Sequence, residues 1–280
     1  MEHRTRVGNR LLAALPPADL DLLAPHLRKI ALERDGVLVR SGDPIEQICF
    51  PCSGAIAFML DMPNGQTVAT AVIGNDGAVG ILTALGPSCS PMTAVVRVPG
   101  TALQIPPARF RAAFNRSGAI RHAVQIYARA LLAQVQHVAA CNALHSVEAR
   151  MARWLLDIHD RADGDFLPLT QEALSELLGV RRTTVTHVVR KLRTSRAIRS
   201  NRRGLIEIDR PRLEAAACEC YQVMRHRIDR IVSPEEMKPR SHAPPAHKTP
   251  RARDPLLAKV DEAQRDTPTH GATSQRPRGH

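Results

Sequence analysis

The spacing of hydrophobic residues divides the chain into three kinds of segment. Between residues 28 and 105, short apolar runs alternate with turn signals, which is typical of a small β-barrel or double-sheet roll. Between residues 107 and 143, apolar residues recur at steps of three and four, as on one face of a long helix. Shorter helical segments follow, with a β-hairpin among them. The pattern predicts an α+β fold with an N-terminal double-stranded, jelly-roll-like β-roll, a long helix and a C-terminal helical domain.

The first part of the chain gives more detailed expectations. Leucines on one side of residues 11–27 predict a short helix before the roll. Pro63, Asn64 and Gly65 favour a hairpin turn between two strands. The predicted strands cover residues 47–50, 55–60, 67–73, 92–98 and 102–105.

Residues 169–204 form the strongest local pattern, in which a helix, a sharp turn, a second helix and a small β-hairpin follow one another. Thr170 is a good N-cap for the first helix, and Gly179 supplies the positive φ that ends it. The second helix has apolar residues at i, i+3, i+4 and i+7: Val185, Val188, Val189 and Leu192. This order predicts a winged helix-turn-helix.

The opposite face of the second helix is polar and cationic. Residues 181–212 hold eleven Lys and Arg residues against two acidic ones, in a chain whose net charge is +12. Such concentrated charge predicts binding to double-stranded DNA, with the second helix in the major groove. The alternative is a solvated basic face on an ordinary helical hairpin. The predicted DNA-binding residues are Thr170, Arg181, Arg182, Thr183, Thr184, Thr186, His187, Arg190, Lys191, Arg202 and Arg203.

The long helical segment has one regular apolar seam, which is interrupted by Gln134. The seam predicts a dimerisation helix, because DNA-reading helices are commonly presented in pairs on two-fold sites. The alternative is a helix packed on its own domain. The predicted homodimer contacts are Ile120, Val124, Tyr127, Leu131, Val135 and Val138.

These segments give four predicted regions. Residues 1–116 form the β-roll, 117–145 the dimerisation helix and 146–232 the DNA-binding domain, which ends in a helix over 211–231. Residues 233–280 are rich in Pro, His, Ala, Arg and Thr without lasting periodicity, which predicts a disordered basic tail.

Composition narrows the choice of partners. Aromatic residues make up only 3% of the chain, which disfavours a base-stacking platform for single-stranded nucleic acid. A sequence pI near 10.3 favours an anionic partner. No apolar run is long enough for a signal peptide or a membrane span, and six scattered cysteines fit a reducing compartment. We therefore expect a cytoplasmic protein without a membrane partner.

Three stretches are similar to the Crp/Fnr family of bacterial transcription regulators. The most specific is LTQEALSELLGVRRTTVTHVVRKL at 169–192, and SVEARMARWLLDI at 146–158 and SGDPIEQICFPCSGAI at 41–56 also resemble the family. The resemblance covers roughly residues 10–230. It implies a cyclic-nucleotide-binding-like roll and a homodimer that binds near-palindromic promoter sites and contacts RNA polymerase.

The resemblance also assigns base-reading positions, which here hold Arg182, Thr183, Thr186 and His187. Arg182 suits the O6 and N7 acceptors of guanine. Thr183 and His187 stand where many members carry Glu and Arg, so we expect a different preferred DNA sequence.

The effector site departs from the family pattern. Members that bind cyclic nucleotides use a Gly-Glu pair for the ribose and an Arg before Ser/Thr-Ala for the phosphate. The corresponding places hold Gly80 and Ile81, and Met92, Thr93 and Ala94. Isoleucine cannot accept a ribose hydroxyl and methionine cannot neutralise a phosphate, so cyclic AMP is not expected. The candidates for another effector are Gly74, Gly77, Gly80 and Thr93, and the alternative for this loop is a simple tight turn.

The cysteines do not predict a cofactor. Iron–sulfur members of the family carry a Cys cluster near the N-terminus, but no cysteine here precedes Cys49. Cys49 and Cys52 form a lone C-x-x-C and Cys89 lies far away in sequence, so an iron–sulfur cluster is not expected.

Two further groups of Cys and His residues have side chains that can bind metals. His137, Cys141 and His145 are spaced to share a helical face, but packing at a hinge is the favoured interpretation. Cys218 and Cys220 lie two residues apart on the predicted last helix and would point to different faces. The sequence therefore predicts no metal site.

The chain has no nucleotide-binding, hydrolase or metalloprotease motif, so we predict a regulator and not an enzyme. One rival hypothesis is a ligand- or metal-sensing module whose DNA affinity is incidental. Another is a protein that binds anionic membranes, which fits poorly because the basic helices lack an exposed apolar face.

Overall fold

The computed structural model describes residues 8–162, 164–200 and 205–231. The first described elements are two single-turn helices, α1 (Arg10–Ala13) and α2 (Pro17–Leu20), and a 3₁₀ turn at Ala24–His26. The prediction of one helix over residues 11–27 is therefore wrong. Proline residues open both the second helix and the 3₁₀ turn, and a proline cannot continue a preceding helix.

Seven strands form the predicted β-roll as two antiparallel sheets. One sheet has the order β1–β7–β3 and the other the order β2–β6–β4–β5. The predicted turn at residues 63–65 joins β4 to β5, and Gly65 has a φ of +79°. The strands are β1 (Arg28–Leu32), β2 (Val37–Val39), β3 (Ile48–Pro51), β4 (Ala55–Asp61), β5 (Thr67–Ile73), β6 (Thr93–Val98) and β7 (Gly100–Ile105).

Two helices follow the roll, α3 (Pro107–Arg116) and α4 (Gly118–Leu144). The Ser117 side chain caps α4 by accepting a hydrogen bond from the Ile120 amide at 3.0 Å. In the part of the chain that the structure describes, no helix is both long and apolar enough to cross a membrane.

The most regular apolar face of α4 packs on its own chain. Residues predicted to form a dimer seam are only 0–8% exposed there: Ile120, Val124, Tyr127, Leu131 and Val138. Gln134 lies on the same face and donates a hydrogen bond to the Val72 carbonyl at 3.2 Å. The assignment of those five residues to the dimer contact is corrected, because a helix packed on a sheet shows the same spacing of three and four. The sixth predicted dimer residue, Val135, is 36% exposed and is not part of this buried face.

The C-terminal region has the predicted winged helix-turn-helix order, with two additions. A short strand, β8, joins the two wing strands in a sheet of order β8–β10–β9. The predicted last helix over 211–231 is two helices, because the chain leaves the helical path at residues 217–219. The elements are α5 (Val147–His159), β8 (Phe166–Leu167), α6 (Gln171–Leu178), α7 (Arg182–Thr194), β9 (Ile198–Ser200), β10 (Ile206–Ile208), α8 (Arg210–Ala216) and α9 (Cys220–Ile231). The predicted tail over 233–280 lies outside the described residues.

The four-stranded sheet contributes to two hydrophobic cores. Ile56 and Phe58 of β4 belong to the core of the roll. Ala55, Ala57 and Met59 on its other face belong to the core of the C-terminal helices. Because successive side chains of a strand alternate between faces, a strand buried on both sides is apolar throughout.

Ion pairs connect the C-terminal helices with the roll. Arg161, which follows α5, contacts Asp76 of the roll with a nitrogen–oxygen distance of 2.7 Å. Arg97 of β6 is nearly buried and contacts Glu176 of α6. Its other terminal nitrogen lies 3.3 Å from Asp35. A buried cation needs such partners because removal from water is costly.

Candidate nucleic-acid interface and roll cavity

The turn between α6 and α7 has the local chemistry that a helix-turn-helix requires. The Thr170 hydroxyl accepts a hydrogen bond from the Ala173 amide at 3.1 Å and so caps α6. Gly179 ends α6 with a φ of +63°, where a side chain would be strained. The Ser175 hydroxyl donates to the Val180 carbonyl at 2.8 Å, which closes the turn just before α7 begins.

Helix α7 has one buried face and one exposed face. The four predicted apolar residues are all buried in the core of the C-terminal helices. The opposite face exposes Arg182, Thr183, Thr186, His187 and Arg190, whereas Thr184 is half-buried. The helix is therefore anchored by its apolar side, and a row of hydrogen-bonding and cationic groups faces solvent.

The exposed side chains of α7 make only weak surface interactions with the rest of the chain. The Arg182 side chain is 69% exposed and lies 3.8 Å from Glu172, a surface pair of small energetic value. The Thr186 hydroxyl donates to Gln171 at 3.0 Å, and Lys191 lies 3.2 Å from Glu148. These groups can change partners when an external ligand approaches.

Two other cationic residues flank this surface. Arg181 is exposed at the N-cap of α7, at the positive end of the helix dipole, which favours anions. Arg199 of β9 lies 3.3 Å from Glu207 of β10 across the wing. Arg202 and Arg203, which were predicted to contact DNA, lie outside the described residues.

A cavity of about 430 Å³ lies between the roll and α4. Its wall is mainly apolar, with Ile45, Phe58, Ile81, Met92 and Leu131 among the lining residues. Every residue that lines the cavity belongs to the described part of the chain, and none of them carries a charge.

Polar groups in the cavity wall are already paired within the chain. The Tyr127 hydroxyl donates to the Ala78 carbonyl at 2.6 Å, and burial raises the Tyr127 pKa, so the phenol stays neutral. The Thr83 hydroxyl donates to Gly80, and the Ser90 hydroxyl donates to the Met92 carbonyl. The cavity is therefore suited to an apolar ligand more than to an ionic one.

Comparisons with known proteins agree with this architecture. Residues 29–117 match the family model of the cyclic nucleotide-binding domain, and residues 149–216 match that of the Crp-like helix-turn-helix domain. The chain belongs to the Crp/Fnr family. The search of curated proteins found no matching relative.

Solved structures of Crp/Fnr proteins share this fold at low sequence identity. FixK2 from Bradyrhizobium japonicum is 14% identical, with a TM-score of 0.58, over 69% of this chain and 98% of that one. A putative crp/fnr-family regulator from Eubacterium rectale is 16% identical, with a TM-score of 0.59, over 76% and 97% of the two chains. The c-di-GMP responsive regulator CLP from Xanthomonas campestris is 16% identical, with a TM-score of 0.57, over 69% and 99%.

In this Crp/Fnr chain only one of the four predicted effector residues lines the cavity. Gly80 lies in its wall with a φ of +80°. Gly74 packs against Arg161 and Gly77 packs against Tyr127, so both serve close packing in the turn. The Thr93 hydroxyl donates to Asp61 at 3.1 Å and lies in a separate polar groove beside α6. Sequence reasoning missed most of the cavity because its lining consists of ordinary apolar residues.

The cysteines fall into two environments. Cys49 is buried in the roll, and burial raises its thiol pKa to about 12, which makes it an unreactive packing residue. Cys141, His145, Cys218 and Cys220 come together at the C-terminal end of α4. The structure thus contradicts the expectation that Cys218 and Cys220 diverge, because Cys218 precedes α9 and is not helical. His137 is not part of this group, and its Nδ1 lies 3.3 Å from the Ala133 carbonyl.

The cavity predicts binding of a neutral apolar probe such as N-phenyl-1-naphthylamine. Leu82, which lines the cavity and is 37% exposed, offers a site for a charge at the wall. We expect Leu82→Glu to weaken probe binding, measured by fluorescence titration, because an apolar ligand would desolvate the carboxylate. Leu85→Glu, an exposed site outside the lining, is the matched control. Equal affinity of both variants would contradict this assignment.

Proposed function

We propose that this Crp/Fnr chain is a sequence-specific transcription regulator that binds near-palindromic promoter sites as a homodimer. The observation that carries the proposal is helix α7, whose apolar face is buried while its polar and cationic face is exposed. An α-helix presented in this way fits the major groove, where each base pair has a distinct pattern of donors and acceptors.

Different residues of α7 suit different parts of DNA. Arg182 lies in the first turn, where base contacts of a recognition helix are made, and its guanidinium matches guanine in a bidentate contact. Thr186 and His187 follow one turn later on the exposed face. Arg181 and Arg190 are suited to phosphates, which position the protein without reading sequence.

A second copy of the chain fits the outer side of α4. Leu132 is 58% exposed there and Val135 is 36% exposed, although both are large and apolar. Ala128 and Ala139 continue the same stripe at steps of four and three, the spacing of two paired helices. Of the predicted seam residues, Val135 is the one that faces this side.

We propose that the signal is an apolar small molecule in the roll cavity, not cyclic AMP. Ile81 and Met92, which replace the family's carboxylate and guanidinium, both line the cavity. Tyr127 and Leu131 of α4 line it too, so a bound ligand contacts the helix that would pair the two chains. The ligand would shift the population of dimers toward one spacing of the two α7 helices. Contact with RNA polymerase is part of the same proposal, by resemblance to the family.

Selection of bound sites from random duplex DNA tests the proposal. We expect the wild-type protein to enrich a two-fold symmetric motif. Arg182→Ala should reduce the base preference at one position of that motif, with a loss of about 1–3 kcal/mol of discrimination between bases. Arg109→Ala, which changes an exposed arginine of α3, should leave the motif intact.

The opposite result would favour the rival hypothesis of a sensing module with incidental DNA affinity. In that case wild type and Arg182→Ala enrich no motif, and both lose affinity equally as salt is raised. The roll cavity is the observation that supports this rival hypothesis, because it could bind a ligand whether or not the protein binds DNA.

The dimer is tested separately by Leu132→Glu. A carboxylate in an apolar helix pair would be desolvated, so we expect the variant to be monomeric by light scattering at concentrations where wild type is dimeric. Its affinity for the selected site should fall with loss of the second half-site contact. Leu85→Glu adds the same charge elsewhere and should stay dimeric. A dimeric Leu132→Glu protein would place the contact on another surface.

A further inference from the structure

Three cysteines and a histidine converge where the long helix ends. Cys141 lies in the last turn of α4 and His145 is its C-cap residue. Cys218 lies between α8 and α9, and Cys220 is the first residue of α9. One ligand atom from each of the four side chains lies within 4.8 Å of all the others. The three thiols are at most 8% exposed, so the group is largely withdrawn from solvent.

The spacing of these atoms fits a single tetrahedral metal ion. The sulfurs of Cys141 and Cys218 lie 3.5 Å apart, and the Cys220 sulfur lies 3.6 Å from Nδ1 of His145. Zinc bonds of about 2.3 Å to sulfur and 2.0–2.1 Å to nitrogen place tetrahedral ligands at about 3.8 Å for two sulfurs and about 3.6 Å for sulfur and nitrogen. The observed sulfur–nitrogen separation equals the expected value, the observed sulfur–sulfur separation is about 0.3 Å shorter, and all four ligand atoms lie within 4.8 Å of one another.

The surroundings of the cluster have the features of an outer ligand shell. Nε2 of His145 lies 3.1 Å from a carboxylate oxygen of Glu219, which leaves Nδ1 directed to the thiols. A carboxylate behind a histidine is the common arrangement in zinc sites, because it fixes the ring and its tautomer.

The charge balance also suits thiolates. Arg153 is fully buried and pairs with Asp157 through Nη1 at 2.7 Å, while its Nε and Nη2 atoms have no hydrogen-bond partner within the described chain. Three thiolates around a divalent cation carry a net charge of −1, and the unpartnered nitrogens of Arg153 are suited to donate hydrogen bonds to the Cys141 thiolate.

We propose that Cys141, His145, Cys218 and Cys220 bind one Zn²⁺ through three sulfurs and Nδ1. Three thiolates and one imidazole in tetrahedral positions select zinc over hard cations. All four ligands come from the protein, so the site is closed and structural, without an open position for substrate. This inference does not depend on DNA binding.

A disulfide explains less of the geometry. The Cys141 and Cys218 sulfurs are 3.5 Å apart, whereas a disulfide bond is about 2.0 Å long. A disulfide would also leave the convergence of Cys220 and His145 on the same point, with Glu219 behind the imidazole, without a role. A metal ion uses all four ligand atoms and the outer carboxylate together.

The zinc would join two parts of the chain that are distant in sequence. It links the end of α4 to the start of α9, and α4 continues through Ser146 directly into α5 of the DNA-binding domain. Because the unfolded chain lacks a preformed site, metal binding stabilises this junction. We expect chelation of the metal from the full-length protein to lower its midpoint of thermal unfolding.

Metal titration of the reduced, full-length protein tests the site. We expect about one zinc per chain by elemental analysis after dialysis against reductant. Co²⁺ added to the metal-free protein should give the intense visible absorption of tetrahedral cobalt together with thiolate charge-transfer bands. Cys220→Ser should lose both signals, and Cys89→Ser, an exposed thiol outside the cluster, should keep them.

Glu219→Gln gives a second readout in a variant that keeps all four ligands. Competition with a chromophoric chelator should show zinc affinity reduced about 10- to 100-fold, as for other outer-shell carboxylates. The proposal is overturned if reduced wild-type protein binds Zn²⁺ and Co²⁺ no better than Cys220→Ser. It is equally overturned if cobalt binds without thiolate bands, or if Cys89→Ser and Cys220→Ser lose it alike.

Discussion

Burial of strand β4 on both faces determines how this protein is organised. Strand β4 places Ile56 and Phe58 in the core of the roll and its two alanines in the core of the C-terminal helices. A sheet exposed on one side would need polar residues there, and β4 has none until its last residue. The helix-turn-helix domain is thus packed against the roll of its own chain. The ion pair between Arg161 and Asp76 lies at the same junction.

Helix α4 connects the other features of the structure. Its inner face closes the core of the roll, and Tyr127 and Leu131 line the cavity. Its outer face carries the exposed Leu132, and its last turn supplies Cys141 to the Cys/His cluster. A ligand in the cavity, a second chain on the outer face or a metal ion at the Cys/His cluster would each contact the same continuous helix. This is the physical basis for proposing that a ligand, a second chain and a metal ion influence the same DNA-binding domain.

Local sequence signals predicted the main elements of the fold. The β-roll, the long helix and the winged helix-turn-helix order are confirmed, because turn residues, caps such as Thr170 and the Gly179 stop act within a few residues. Strands β1 and β2 were missed, since they are partly exposed and carry a weak apolar pattern. The exposed face of α7 was predictable from its periodicity, but Arg202 and Arg203 stay predictions.

Other features depend on contacts between distant residues. The spacing along α4 cannot tell a face packed on a sheet from a face packed on a second chain, so five residues that are buried within their own chain were predicted as dimer contacts. The apolar cavity has no sequence motif. The Cys/His cluster was missed because Cys141 and Cys218 are 77 residues apart and the break at 217–219 was not predicted. The helical spacing placed Cys141 and His145 on one face, but it could not show that Cys218 and Cys220 lie beside them.

Hydroxyl-radical footprinting on a selected DNA site tests the central claim most directly, because it reports where the protein lies on the duplex. Two copies of α7 related by a two-fold axis would occupy successive major grooves. The account predicts two symmetric sets of protected sugars on both strands, with their centres about 10 base pairs apart. A single protected patch, or weak uniform protection along the whole duplex, would contradict it.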